Sequence, residues 1–180
     1  MPRGGAVFRN NPGGWVATTL TQVAASQTLT IPDYGTHLEI ECALRSDNAA
    51  ATVNVAVTWN GDTTSGNYHW QRGGGSNNTA VSAEGTSSAV CVTSAGTGVT
   101  GAFSWLRIVF PWVRDTGKLR QCVVTSFNEN ADDNKTMHLT GYRRITAGSG
   151  ALTDRVSTIT FTPSAGNWDV GSIFRYRVVS

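Results

Sequence analysis

Apolar and polar residues alternate with a period of two along much of this chain. Leu38, Ile40, Cys42 and Leu44 fall on one side of an extended run, with Glu39, Glu41 and Arg45 on the other. That is the pattern of a strand buried on one face. Val53, Val55, Val57 and Trp59 repeat it, and Ser46-Asp47-Asn48 lies between the two runs as a turn. Residues 37–59 are therefore predicted to form a β-hairpin, ended by the strong turn residues Asn60-Gly61-Asp62. A shorter alternation, Leu29-Thr30-Ile31, precedes them and stops at Pro32.

The second half continues in the same way. Trp105 to Val113 is apolar enough for a central strand, with Pro111 required at its end or at a bulge. Leu119 to Phe127, Thr136 to Ile145, Val156 to Thr162 and Ile173 to Val179 follow, separated by turn-rich segments. Residues 61–100 are rich in Gly, Ser, Thr and Asn, and within them Tyr68–Trp70 and Ala89–Val92 are predicted as short strands. No window carries the apolar repeat of an amphipathic helix. Residues 1–19, broken by Gly4, Gly5, Asn10, Asn11, Pro12, Gly13 and Gly14, are predicted as an extended N-terminal arm.

About eight main strands with turn signals between them point to an all-β, two-sheet antiparallel sandwich, and a jelly roll is the arrangement that fits best. The expected organisation is an arm over 1–19 and one β-sandwich domain over 20–180. No fixed-period repeat calls for a propeller or solenoid.

Composition sharpens this picture at three points. Charged residues make up 14% of the chain, against about 25% in an ordinary soluble domain. Twelve Arg stand against only Lys118 and Lys135, a bias that suits permanent contact with other subunits. The net charge of +2 and the scatter of the arginines give no basis for nucleic acid or an anionic membrane as partner. Cys42, Cys91 and Cys122 are odd in number and widely spaced, so neither a disulfide framework nor a zinc site is expected. Cys42 and Cys122 fall at inward strand positions, as buried thiols would. The start of the chain lacks the apolar run of a secretory signal, and no apolar run is long enough to cross a bilayer. Synthesis in a reducing cytoplasm is expected.

Chemistry is harder to find. His37, His69 and His138 are far apart, Glu39 and Glu41 lie on a polar strand face, and no nucleophile elbow, metalloprotease, phosphate-loop or dinucleotide motif is present. Gly73-Gly74-Gly75 lacks the Lys-Ser/Thr pair of a phosphate loop and reads as a flexible tip. Glu129, Asp132, Asp133 and Asn134 do not have calcium-loop spacing. The expectation is no enzyme, no catalytic residue, no metal and no cofactor. Two sets of residues remain as binding candidates. Arg3, Phe8, Arg9 and Trp15 would let the arm grip a neighbour, since a free tail gains nothing from large apolar side chains; folding back on its own domain is the competing use. Asn60, Asp62, Tyr68 and Trp70, beside Trp59, would make a stacking platform for a sugar. Filling the core is the competing use of these aromatics, with Trp59 and Trp105 at inward positions.

Two segments resemble a known family. Thr58-Trp-Asn-Gly-Asp-Thr-Thr-Ser-Gly-Asn-Tyr68 resembles the strand, Asn-Gly-Asp, spacer, Asn-Tyr signature of jelly-roll domains in tailed-bacteriophage virion proteins. Ile159-Thr-Phe-Thr162 with Trp168-Asp-Val-Gly-Ser-Ile-Phe-Arg-Tyr176 resembles their last two strands. The likeness covers about residues 37–180 in layout. It implies a virion structural protein: a capsid decoration (cement) protein on the outer shell, a head fibre or a tail-associated domain. It also implies a homo-oligomer, typically a trimer, with the major capsid protein or other virion subunits as partners. A receptor- or glycan-binding module of a tail or fibre is the alternative. The motifs are structural, so the resemblance carries over no catalytic residue.

Overall fold

The computed structural model describes residues 14–50, 52–76, 79–85, 92–95, 101–113, 120–129, 135–144 and 155–179. These form twelve strands and no α-helix. In chain order they are β1 (Val16–Thr19), β2 (Gln27–Thr30), β3 (His37–Leu44), β4 (Thr52–Trp59), β5 (Tyr68–Ser76), β6 (Thr79–Gly85), β7 (Val92–Ala95), β8 (Ser104–Phe110), β9 (Arg120–Glu129), β10 (Lys135–Arg144), β11 (Thr158–Pro163) and β12 (Ile173–Val179). They make two antiparallel sheets of unequal width. The large sheet runs β1-β12-β3-β8-β9-β10-β5-β6, and the small one runs β2-β11-β4-β7. The chain is an all-β sandwich.

One apolar layer lies between the sheets. Leu38, Ile40, Cys42 and Leu44 of β3, Leu106, Ile108 and Phe110 of β8, and Phe174, Tyr176 and Val178 of β12 enter it from the large sheet. Leu29, Val55, Val57, Trp59, Ile159 and Phe161 meet them from the small sheet. The strict alternation of β3, β8, β11 and β12 produces this inner face, because successive side chains leave a strand on opposite sides. Aromatic rings join the layers: Trp59 meets Phe110 edge-on at 5.1 Å between centroids, and Phe161 lies 5.5 Å from Phe174. Trp168, fully buried on the loop before β12, packs edge-on against Phe174 at 5.8 Å and donates its indole N–H to the Phe161 carbonyl.

Four expectations are corrected. Residues 37–59 are not a hairpin: β3 belongs to the large sheet and β4 to the small one. The connection between them crosses the sandwich because its polar groups bond to the loop before β12. Ser46 Oγ donates to the Ala165 carbonyl, and the Asp47 carboxylate accepts from Asn167 N and Nδ2. Gly166 closes this junction at φ +69°, where a Cβ would run into Asp47 and Asn48. Second, Trp105 does not point inward. Leu106, Ile108 and Phe110 take the inner face and leave Trp105 40% exposed on the outer one. The run Trp105-Leu106-Arg107-Ile108-Val109-Phe110 is apolar on both faces except at Arg107, so its composition could not set its phase. Third, Gly73-Gly74-Gly75 is not a free tip but the middle of β5. It pairs with Leu139, His138 and Met137 on one side and with Ser82, Val81 and Ala80 on the other. Glycine tolerates strand geometry, and the ladder hydrogen bonds of two neighbours hold it there. Fourth, the arm does not extend to residue 19, because β1 pairs with β12 as an edge strand of the large sheet. Pro111 follows directly after β8, where a missing N–H costs no ladder bond.

Replacing Trp59, which has no exposed surface, should show how far the inter-sheet layer carries the fold. Trp59→Ala is expected to lower unfolding stability by about 3–5 kcal/mol, measured by urea denaturation, while a surface change such as Val170→Ala stays within about 0.5 kcal/mol.

Candidate functional site

The turn after β4 is the first candidate for a ligand site, and the polar side chains of Asn60 and Asp62 are bonded within the protein. Asn60 takes a left-handed conformation at φ 52° followed by Gly61 at 72°, and Asp62 N closes the turn on the Trp59 carbonyl at 3.0 Å. Asn60 Oδ1 accepts from Ser157 N, Ser157 Oγ and Thr158 N, and its Nδ2 donates to the Arg155 carbonyl. Asp62 accepts from Thr64 N through one carboxylate oxygen and from Asn67 Nδ2 through the other. Tyr68 is fully buried; its hydroxyl donates to the Asp62 carbonyl at 2.7 Å and accepts from Trp59 N at 3.0 Å. Trp70 is buried too, with Gly85 pressed close to its ring and the Arg72 guanidinium 5.5 Å from it. Asn60, Asp62, Tyr68 and Trp70 therefore build a self-bonded corner of the sandwich, and Tyr68 and Trp70 present no face to a sugar. The physical reason is phase: Tyr68 and Trp70 are two residues apart, so both leave β5 toward the core.

Of the arm candidates, Arg3, Phe8 and Arg9 lie outside the described residues. Trp15 is described, and it sits on its own domain. Its ring lies 4.8 Å from the Arg175 guanidinium and 4.9 Å from that of Arg177. Both arginines stand on the outer face of β12, so Trp15 marks the surface where the notable side chains gather.

That surface is the outer face of the large sheet. In its charged rows Arg177 of β12 stands opposite Glu39 of β3, and Arg175 opposite Glu41, with Arg107 of β8 beyond Glu41. Arg177 donates Nε and Nη2 to Glu39 at 3.0 and 2.7 Å, Arg107 adds its own Nη2 at 3.3 Å, and Arg175 donates both groups to Glu41. The carboxylates are recessed, with side chains 18% and 17% exposed, beneath guanidiniums that are 34–46% exposed. Burial alone would raise the Glu39 pKa. The hydrogen bond and charge of Arg177, followed by those of Arg107, outweigh it and hold the carboxyl below the usual glutamate value. Three arginines against two glutamates leave the ladder with one excess positive charge.

Beside the ladder the same face turns apolar. Ile173, Ala43, Trp105 and Phe127 stand in register across β12, β3, β8 and β9, and Val109 and Val123 form a second row at the other end of these strands. Trp105, Val123 and Ile173 are 40%, 48% and 37% exposed. Phe103 adds another exposed ring where Gly171 approaches it, under the Arg45 guanidinium at 5.9 Å. The row of Arg107 and Thr125 separates the Trp105 row from the Val109–Val123 row, so exposed apolar side chains flank the charged ladder on both sides. Sequence reasoning missed this face because it assigned Trp105 to the core.

Among the described residues no group of three or more His, Cys, Asp or Glu side chains is placed to hold a metal ion. Cys42 and Cys122 are buried, and burial, aided by the charge of Glu41, pushes the Cys42 thiol far up, away from reactivity. Cys91 lies outside the described residues. Comparison with family models, with curated proteins and with solved structures finds no match for the chain.

The charged ladder has a pH signature. The folded-state pKa of Glu39 lies below its unfolded value of about 4.5, so its contribution is complete above that value and is lost as pH falls through the folded one. Glu39→Gln is expected to lower stability by about 1 kcal/mol at pH 7 and to flatten the acid limb of the stability curve, read by urea denaturation from neutral pH down to below 4.5.

Proposed function

We propose that this chain is a structural protein of a virion, a capsid decoration protein that docks on the outer shell through the outer face of its large sheet. The observation that carries the reading is the outer face of the large sheet, where exposed Trp105 and Phe103 at one end and Val123 at the other flank the arginine ladder. The resemblance of Thr58–Tyr68 and Ile159–Tyr176 to jelly-roll virion proteins supplies the kind of assembly. In this reading the partners are further copies of the chain, in a homotrimer, and the major capsid protein, and the place of action is the virion surface. A low-charge, Arg-biased composition supports it, since such surfaces are made for lasting subunit contact. A glycan-binding role for the Asn60–Trp70 corner has no support in the side-chain geometry. A glycan array with no hits for the intact protein is the result that agrees with this.

The test is shell binding. Trp105→Glu and Val123→Glu place charges on outward positions that the core does not use, so circular dichroism should stay unchanged. Affinity for undecorated shells should fall by about thirty-fold or more, the equivalent of losing a contact of about 2 kcal/mol. The number of bound copies of the intact protein should scale with the number of shell subunits. Unchanged binding by both variants, or a copy number fixed at a few per particle, overturns the reading.

A further inference from the structure

Strand β1 is attached to its domain by little. Three of its four side chains face solvent, and only Val16, with Leu20 just beyond, reaches the apolar layer. What remains is backbone pairing of Val16–Thr19 with Tyr176–Ile173 and the stack of Trp15 on Arg175 and Arg177. Leu20 closes the attachment, its N–H donating to the Ser172 carbonyl and its carbonyl accepting from Gly171. Thr21, Gln22 and Val23 then run exposed. Ala24 is pinned again, by N–H to carbonyl bonds in both directions with Trp168 at 3.1 and 2.7 Å. A strand that buries little is thus joined to a firmly anchored body by three exposed residues.

Among the described residues, the hydrogen-bonding and stacking partners of residues 15–20 sit on residues 171–177. Each copy of the chain carries that same acceptor edge, so an exchange of this segment between copies conserves these contacts. We infer that Gly14–Leu20 is exchanged in the assembled state, with β1 of one copy pairing with β12 of a second copy and Trp15 seated on that copy's Arg175 and Arg177. Thr21–Val23 is the joint, able to span roughly 10 Å when extended. The inference rests on the assembly reading above. In an isolated chain the tether favours pairing within the chain, whereas copies held side by side on a surface meet at concentrations on the order of millimolar. Exchange also explains why an edge strand this short carries a tryptophan: the ring gives a detachable segment an anchor on whichever copy receives it.

Cysteine pairs distinguish the two pairings. Thr19 and Ile173 stand directly opposite in register and are both exposed. Strand partners of this kind lie about 4.5–5.5 Å apart at Cα, within disulfide range. In a Cys91→Ser background, Thr19→Cys and Ile173→Cys are made as separate variants, mixed, assembled on shells and oxidised. Neither variant alone can link β1 to β12, so a disulfide between the two arises only between copies. In an equal mixture about half of the donor strands meet an acceptor cysteine, so the expected result is that about half of the chains run as linked pairs on a non-reducing gel. Absence of the mixed pair, while the double variant closes within one chain, overturns the exchange. The oxidised double variant gives a second readout. With β1 locked to its own β12 it should fail to assemble on shells and recover on reduction. Equal assembly in both redox states overturns exchange and leaves the virion reading standing, since that reading is judged by Trp105→Glu and Val123→Glu.

Discussion

The aromatic contacts between the sheets, Trp59 against Phe110 and Phe161 against Phe174, hold the two layers together, and the Tyr68 hydroxyl is fixed beside them. Close packing across one apolar layer demands that each strand of either sheet commit one face inward. That commitment turns the other face of every strand outward. Where a sheet is wider than its partner layer, as here, a large surface results whose side chains are free of any duty in the core. The corner at Asn60–Tyr68 follows from the same constraint, because a buried backbone at the end of β4 must have its N–H and C=O groups met. The Tyr68 hydroxyl meets the Trp59 N–H and Asp62 N meets the Trp59 carbonyl.

The outer face uses that freedom in two ways. Around Glu39 and Glu41 it is ordered by charge: recessed carboxylates fix the arginines, and the arginines present guanidinium planes on which Trp15 stacks. On either side of this charge it is apolar, with Trp105 in one row and Val109 and Val123 in the other. A rigid sheet bearing preset side chains loses little freedom if it meets a partner.

Much of the strand inventory was legible from residue order. The alternations in β3, β4, β11 and β12 are strict, and a period of two with one polar side leaves no other element to form. The inward placement of Cys42 and Cys122 was legible for the same reason. β8 was not, since an apolar run contains no polar residue at regular spacing to mark its outer face. The glycine triplet in β5 was not either, because glycine permits a strand without favouring one, and only the ladders of β10 and β6 select it.

By itself, then, the order of residues determined an all-β chain, most of its strands, and the inward side of each strictly alternating strand. Tertiary structure alone decided which strands pair, that β3 and β4 part into different sheets, that Trp105 stands outside and that Trp15 comes to rest on arginines 160 residues away in sequence on β12. The reason is range. Alternation is local chemistry, written in each residue and its neighbours. Sheet partnership and exposure depend on which distant segments compete for the same edge and the same apolar layer, and that competition is settled only when the whole chain packs.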